Sequence, residues 1–382
     1  PAPKGGGRVR VKVIWPLKFV YTMSEGGATD LLAAMRGQWA SMTGMAFMFV
    51  STILIGLSVQ PIYNIPEARA FGEEGASKGA FVALELAMIG VFTIVIIWLA
   101  RRGLEFFIKA IVLFALWMSL FYAVQPYVAL VLYFLGLDTL FVVAILSIAI
   151  SSGSIYLLHI FPEWYVVNGV GIMVGAGVIT LIGVSFVPVL IIGFMIAAAI
   201  YDYWAVNGSK HMLELADTMI DLKLPVLLVA PKNADYSFIE EDDSVMRDKE
   251  IEVTKMDWED PVPHIKNEEG RPTKGRDALF MGLGDVIFPG MLVISSVSFL
   301  PQTGGEVTYF SAFGVMYADS LTVAMGTLFG GLLGYFALMT QVARGKPQAG
   351  LPLLNGGSIL GYLVSGYFAL GIDNLWQDIT FF

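Results

Sequence analysis

The sequence contains no cysteine and only three histidines, which narrows the chemistry open to the protein. Without cysteine there is no disulfide bond, no thiolate nucleophile and no cysteine-ligated metal. His159, His211 and His264 are far apart and do not form a metal-ligand spacing. The sequence therefore predicts neither a metal site nor a cofactor.

Charged residues are also scarce, at 14% of the 382 residues, whereas a typical soluble domain has about a quarter. Hydrophobic residues make up 56% of the chain, and the mean hydropathy is +0.71. The charges are clustered and leave long uncharged stretches, which indicates a polytopic protein embedded in a lipid bilayer. The net charge of -9 comes largely from an acidic stretch after residue 231, so it does not indicate a nucleic-acid partner.

Nine stretches are apolar and long enough to form membrane-spanning helices, each of which needs about 20 residues. They cover residues 42–60, 80–100, 107–133, 139–160, 165–185, 187–207, 279–300, 318–341 and 351–371. The breaks between the third, fourth and fifth stretches are weak, but merging any two would give a helix too long for the bilayer. We therefore predict an all-α membrane protein with nine transmembrane helices.

Basic residues in the short loops predict the orientation of the chain, because lysine and arginine concentrate on the cytoplasmic side. With the N-terminus inside, the inside segments hold Lys12, Lys18, Arg36, Arg101, Arg102, Arg344 and Lys346. The outside loops hold Arg69 and Lys78 and are otherwise nearly free of basic residues. The N-terminus is therefore predicted inside and the C-terminus outside.

The predicted spans divide the chain into four parts. Residues 1–41 form an N-terminal cytoplasmic segment, and residues 42–207 contain the first six spans. Residues 208–278 form a long cytoplasmic loop. Its first part, 209–230, is predicted to begin as an amphipathic helix at the membrane surface, and the rest is an acidic, flexible segment. Residues 279–382 contain the last three spans.

Two aspartates lie inside predicted spans, where a carboxylate is costly and therefore indicates a function. Asp202 is about five residues from the inner end of the sixth span, and Asp285 is about six residues from the inner end of the seventh. At 1.5 Å per residue, both lie roughly 8–9 Å below the inner boundary. The small residues Ala198, Gly282 and Gly284 would let the two helices approach closely. We therefore expect the two carboxylates to meet.

Two carboxylates a few ångströms apart in a low-dielectric site cannot both ionise easily, so they titrate as a unit. Such a pair supports hydrolysis by general acid–base catalysis. The ionised member takes a proton from water as the water attacks a peptide carbonyl, and the protonated member donates to the carbonyl oxygen. This chemistry requires neither a metal nor a covalent intermediate.

Two short motifs contain the aspartates. Tyr201-Asp202 lies in one span, and Gly-Leu-Gly-Asp at 282–285 lies in the next, after a long polar inside loop. Their combination resembles the presenilin family of intramembrane aspartyl proteases. The family's third motif is Pro-Ala-Leu followed by proline, at the inner start of the last span. Here the corresponding stretch is Ala-Gly-Leu-Pro at 349–352, in which only the leucine and the following proline match. The resemblance extends over about nine spans and so covers most of the chain.

The resemblance implies a presenilin-like fold and an aspartic endopeptidase that hydrolyses peptide bonds within transmembrane helices of other membrane proteins. It implies that Asp202 and Asp285 are the catalytic pair. It also implies a set of residues that position the active site or the substrate: Tyr201, Gly282, Gly284, Gly350, Leu351 and Pro352. The resemblance also suggests that the loop at 208–278 is cut by the protein itself, as in presenilins of animals.

The departure from the third motif favours a microbial, archaeal homologue that acts without partner subunits. We expect it in the cell membrane, with the active site near the cytoplasmic side. A homo-oligomer stays an open alternative.

Two other functions stay open from the sequence. The same aspartates would also suit a proton-coupled transporter or a cation channel, although the chain shows no symmetry between halves and the aspartates lie off-centre. Signal peptide peptidases share the Tyr-Asp and Gly-x-Gly-Asp motifs but are inverted in the membrane. The predicted inside location of the N-terminus favours the presenilin type over a signal-peptide-peptidase-like protease.

Overall fold

The computed structural model describes residues 25–137, 139–205, 227–232, 236–237, 278–308, 313–342 and 349–380. Several predicted features lie outside these ranges. They are most of the N-terminal segment, the amphipathic start and nearly all of the acidic loop, and the residues Lys12, Lys18, His211, His264, Arg344 and Lys346.

Nine long helices make up most of the described chain. They are α1 (Glu25–Tyr63), α2 (Gly79–Arg101), α3 (Glu105–Phe134), α4 (Leu140–Ile160), α5 (Trp164–Gly183), α6 (Pro188–Trp204), α7 (Leu283–Phe299), α8 (Ala318–Val342) and α9 (Leu351–Ala369). Within the described ranges, α1 to α5 and α8 are long and apolar enough to cross a membrane. Helices α6 and α7 are also apolar but have only 17 residues each. The nine predicted helical segments are thus all present as helices.

The prediction of an all-α fold is wrong in one respect, because the described chain also contains two small antiparallel sheets. Strand β1 (Leu227–Pro231) pairs with β2 (Ala278–Gly282), with Leu227 opposite Gly282. Strand β3 (Glu306–Val307) pairs with β4 (Met316–Tyr317) in the connection between α7 and α8.

The first sheet shortens the predicted seventh span. Residues 279–282 were predicted to be helical, but they form most of β2, and α7 begins only at Leu283. The stretch Ala-Leu-Phe-Met at 278–281 is apolar throughout, and a short apolar run does not distinguish a strand from a helix. Asp285 is therefore the third residue of α7 and lies much closer to the start of its helix than predicted.

The short break between α5 and α6 is predicted correctly. Helix α5 ends at Gly183, and Pro188 is the first residue of α6, a position where the missing proline N–H costs no helical hydrogen bond. The Ser295 hydroxyl donates a 2.7 Å hydrogen bond to the carbonyl of Phe186, which ties this turn to α7.

The helices differ strongly in how much of their surface the protein covers. More than half of the membrane-crossing parts of α1, α5 and α8 is buried inside the protein, against 6% for α2 and 17% for α4. Most residues of α7 are also buried, including the run from Pro289 to Ser298. Helices α1, α5, α7 and α8 therefore form the core, while α2 and α4 present most of their apolar surface outwards.

Helices α8 and α9 are in backbone contact along a seam of glycines. A Cβ atom on Gly330 would lie 2.3 Å from the carbonyl oxygen of Gly357, and a Cβ on Gly357 would lie 2.3 Å from that of Gly330. Gly361 meets the carbonyl of Gly326 at the same distance. Small residues allow such close packing between membrane helices, where van der Waals contact drives association. The seam fixes α9, whose first turn carries residues 351–352.

The seam predicts that Gly357→Ala destabilises the protein while Gly356→Ala does not. A methyl group at residue 357 collides with the α8 backbone, and overpacking of this kind typically costs about 1–3 kcal/mol. A Cβ on Gly356, the next residue on the same helix, meets no atom within 4 Å. Thermal unfolding of both variants in detergent measures the difference. Equal midpoints for the two variants would contradict the close approach of α8 and α9.

Candidate active site

Asp202 continues the buried face of α6. The buried positions Ile191, Met195, Ala198 and Asp202 follow one another at intervals of three or four residues, which places them on one side of the helix. Asp202 lies in the last turn of α6, and only 7% of its surface is exposed. The helix therefore directs this carboxylate into the protein.

Asp285 is held in the first turn of α7, directly after β2. Gly282 ends β2 and is also the N-cap residue of α7, and its N–H lies within hydrogen-bonding reach of the Asp285 carboxylate. An acidic residue at the third helical position that reaches back to the N-cap N–H is one half of a capping box. The Asp285 side chain thus lies beside the start of its own helix, and it is half-buried.

The first turn of α9 brings the two aspartates together. The N–H of Leu351 donates a 3.2 Å hydrogen bond to Oδ2 of Asp202, and the N–H of Gly350 also lies within reach of this carboxylate. On its other side, Gly350 faces Asp285, since a Cβ atom on Gly350 would lie 3.0 Å from Asp285 Oδ2. Residues 350–351 thus contact both carboxylates, which are close enough to interact electrostatically.

Two helix N-termini therefore converge on the pair, that of α9 at Asp202 and that of α7 at Asp285. The free N–H groups and the dipole at a helix N-terminus stabilise a negative charge by about 0.3–1 kcal/mol. This interaction offsets part of the cost of placing a carboxylate among apolar helices. Two carboxylates that interact electrostatically in an apolar site are not easily ionised at the same time, so a single proton shared by the pair is favoured.

A cavity of about 120 Å³ opens beside Asp285. One water molecule occupies roughly 30 Å³ in the liquid, so the cavity has room for water next to the carboxylate. Its walls come from α1, β2, α7, α8 and the start of α9, through Met45, Leu279, Phe280, Met281, Gly282, Asp285, Leu338, Met339, Val342 and Gly350. An aspartate with space for water at its side has the geometry that general base catalysis requires.

The structure brings together most of the residues that the sequence singled out. Asp202, Asp285, Gly282, Gly350 and Leu351 lie in one place, as described above. Pro352 is in the first turn of α9, where proline is well tolerated and helps to start the helix at this point.

Two of the predicted positioning residues, Tyr201 and Gly284, adjoin the aspartates in sequence but are exposed. The Tyr201 side chain is 52% exposed and packs near Trp204, with the ring centroids 6.3 Å apart. Gly284 is exposed, and a Cβ atom there would meet nothing within 4 Å. A role of these two residues in positioning the substrate stays a prediction.

One residue that supports the site was not identified from the sequence. Asn355, on α9, is 1% exposed, and its side-chain amide donates a 3.0 Å hydrogen bond to the carbonyl of Met195 on α6. Met195 precedes Asp202 by seven residues, or about two turns, on the same helical face. The bond therefore ties the helix that carries Asp202 to the helix that contacts it. A lone asparagine in an apolar segment is the signal that could have shown this residue.

Comparison with known proteins identifies the class of protein to which this fold and site belong. Residues 45–372 match the family described as signal-peptide peptidase, presenilin aspartyl protease. Two solved structures, both described as a presenilin family intramembrane aspartate protease, are similar. The one in space group C222 is 26% identical with a TM-score of 0.53, and the match covers 87% of this chain and 100% of the other. The one in space group P2 is 27% identical with a TM-score of 0.52, covering 85% and 97%.

A search of curated proteins finds no significant match. The family match spans well over half of the chain, so the protein belongs to the signal-peptide peptidase and presenilin family of aspartyl proteases. It is a multi-pass intramembrane aspartyl protease of the presenilin type, as the sequence motifs predicted. This assignment decides against the transporter and channel alternatives. Membership also implies that its substrates are transmembrane proteins.

The contact between Gly350 and Asp285 predicts that Gly350→Leu lowers activity without unfolding the protein. The backbone at Gly350 has φ -79° and ψ -44°, which leucine adopts without strain. Its Cβ would lie 3.0 Å from Asp285 Oδ2, and the rest of the side chain would crowd the carboxylate and the cavity beside it. Since small displacements near the reacting groups are costly, we expect a loss of about 10-fold in kcat. Gly350→Ala is the control, because alanine is the residue of the family motif at this position, and equal activity of Gly350→Leu and wild type would contradict this role of Gly350.

Proposed function

We propose that Asp202 and Asp285 are the catalytic dyad with which the protein hydrolyses peptide bonds in transmembrane helices of other membrane proteins. One observation carries the proposal: three separate segments of the chain place both carboxylates and the N-terminus of α9 at the same point. The 149 residues that separate Asp202 from Leu351 make this meeting a property of the fold rather than of any local motif.

The proposed reaction uses the one proton that the dyad shares. The ionised carboxylate takes a proton from a water molecule in the adjoining cavity, and the water oxygen attacks the carbon of the peptide carbonyl. The protonated carboxylic acid donates its proton to the carbonyl oxygen, which gives a neutral tetrahedral intermediate. The carbon–nitrogen bond of this intermediate then breaks. The dyad donates a proton to the leaving amine and takes one from a hydroxyl of the intermediate, so it again carries one proton.

Residues 350–352 act in this proposal as a positioning element. The Leu351 N–H donates a hydrogen bond to the Asp202 carboxylate, and the Gly350 N–H lies near it. Backbone donors are suited to this task, because they add no side chain that would compete with water for space beside Asp285. Gly350 keeps the cavity wall open at that point.

We further propose that the N-terminus is inside, the C-terminus outside and the active site near the cytoplasmic face of the cell membrane. Thr380 pairs with Lys78 in the connection after α1, which supports a common side for the C-terminal end and this first loop. The start of α6 lies beside the connection after α1, where Val187 N–H donates to the Ala76 carbonyl. Asp202, in the last turn of α6, therefore lies at the end of this helix that is far from the first loop. Arg102, beside the α2–α3 connection on the dyad's side, lies over the Trp98 ring at 4.7 Å, as expected of residues at a cytoplasmic interface.

Replacing either aspartate by asparagine is expected to abolish proteolysis and to leave the fold intact. Asn keeps the shape of the side chain but cannot exchange the proton that the reaction needs, so the loss should reach several orders of magnitude. The measurement is cleavage of a single-span test substrate by purified wild type, Asp202→Asn and Asp285→Asn. A transition-state-mimicking inhibitor of aspartyl proteases should stop the wild type. Normal cleavage by either variant would show that the pair is not the catalyst.

The natural absence of cysteine allows the proposed orientation to be tested by single-cysteine labelling. Glu67→Cys lies in the connection after α1 and Arg102→Cys in the connection after α2, and both residues are exposed. In intact cells, a membrane-impermeant maleimide should label residue 67 and should reach residue 102 only after the membrane is opened. The reverse pattern would show the inverted orientation.

A further inference from the structure

Strand β1 is one of the most buried segments near the dyad, although it lies in the long connection between α6 and α7. Leu228 and Val229 are fully buried, and Ala230 is 4% exposed. The hydroxyl of Ser41 on α1 donates a 2.7 Å hydrogen bond to the carbonyl of Pro231, at the end of the strand. An extended segment with no water around it needs a partner for every backbone group.

Asn168 of α5 supplies two of these partners at once. Its amide Nδ2 donates a 2.7 Å hydrogen bond to the carbonyl oxygen of Val229, and its Oδ1 accepts a 2.8 Å hydrogen bond from the Val229 N–H. Asn168 is itself 5% exposed. The side-chain amide thus reproduces the donor and acceptor pattern of a neighbouring strand.

The register of the sheet explains why the amide fits at Val229. Leu228 and Ala230 lie opposite Met281 and Leu279 of β2, with Val229 between them opposite Phe280. In an antiparallel pair, alternate residues direct their backbone groups towards the partner strand and away from it. The groups of Val229 are directed to Asn168, so β1 is held by β2 on one edge and by α5 on the other.

The strand held in this way leads directly to the dyad. Strand β2 ends at Gly282, which is the N-cap of α7 and places its N–H within reach of Asp285. Residues 279–282 also form one wall of the cavity beside that carboxylate. Asn168 is therefore connected to Asp285 through two sets of hydrogen bonds. Its side chain bonds to β1, and β1 pairs with β2, which leads into the helix that carries Asp285.

We propose that Asn168 is a positioning residue for peptide hydrolysis, which fixes β1 on α5 and through β2 sets the position of Asp285 and of the cavity wall. This inference rests on the proposed function of the dyad. Asn168 does not touch the reacting atoms. Asn168 acts on the reaction through the position of Asp285. Replacing Asn168 should therefore change kcat far more than KM.

The test compares Asn168→Leu with wild type in detergent, using a single-span substrate. Leucine has the same branching and number of side-chain heavy atoms as asparagine, and it removes both hydrogen bonds to Val229. We expect kcat to fall about 10-fold to 100-fold, the range that small displacements of catalytic groups produce. KM should stay within about two-fold, because the substrate still meets the same surface. Ser41→Ala, which removes only the bond to Pro231, is a milder second variant with a smaller loss in kcat.

Hydrogen–deuterium exchange of the same proteins supplies a readout that needs no substrate. Asn168→Leu should raise uptake in residues 227–231 and in 278–285, with the rest of α5 unchanged. The control is Asn374→Ala, which removes a 2.8 Å bond to the Leu370 carbonyl at the far end of the molecule and should change neither kcat nor exchange near the dyad.

Three results would overturn the inference: an unchanged kcat, unchanged exchange in β1 and β2, or increased exchange throughout α5. The last would make Asn168 a structural residue of the core. If wild type fails to cleave any substrate, the proposed function is wrong, and the exchange data alone decide whether Asn168 orders the segment that leads to Asp285.

Discussion

The cost of holding two carboxylates among apolar helices is the constraint on which the active site depends. Each carboxylate needs hydrogen-bond donors that do not themselves bring charge, and the fold supplies them from helix N-termini. Asp202 accepts a hydrogen bond from the Leu351 N–H at the start of α9, and the N–H groups of Gly350 and Gly282 lie near Asp202 and Asp285 respectively. The glycine seam with α8 and the Asn355 bond to α6 hold α9 where these donors are needed.

The nine helical segments and the two aspartates within apolar helices were predicted well from the sequence, because both depend on the transfer of groups from water into an apolar environment. An aspartate inside an apolar stretch can be recognised in the sequence even when the first residue of the helix is predicted wrongly. The equal depth predicted for Asp202 and Asp285, by contrast, used a seventh span that started four residues too early. A strand rises about 3.3 Å per residue and a helix 1.5 Å, so a span boundary in the wrong place gives the wrong depth.

The supporting contacts could not be predicted, for reasons that differ from residue to residue. Donors to Asp202 are backbone groups, which every residue has, and they come from a segment 149 residues away. Strand β1 has an apolar sequence that is compatible with a membrane-surface helix, and its extended form depends on pairing with β2 and Asn168. The exposed position of Tyr201 follows from the turn of α6, which can direct only one of two adjacent residues inwards.

The 17 residues of α6 and of α7 also bear on how water reaches the dyad. Helices of this length span about 25 Å, which is less than the roughly 30 Å of a typical hydrocarbon layer. One response to a hydrophobic mismatch of this kind is local thinning of the bilayer around the short helices. Asp202 lies in the last turn of α6 and Asp285 in the first turn of α7, so thinning on that side would bring the lipid surface closer to both carboxylates. The protein would thus shorten the path for water by deforming the membrane rather than by opening a channel through itself.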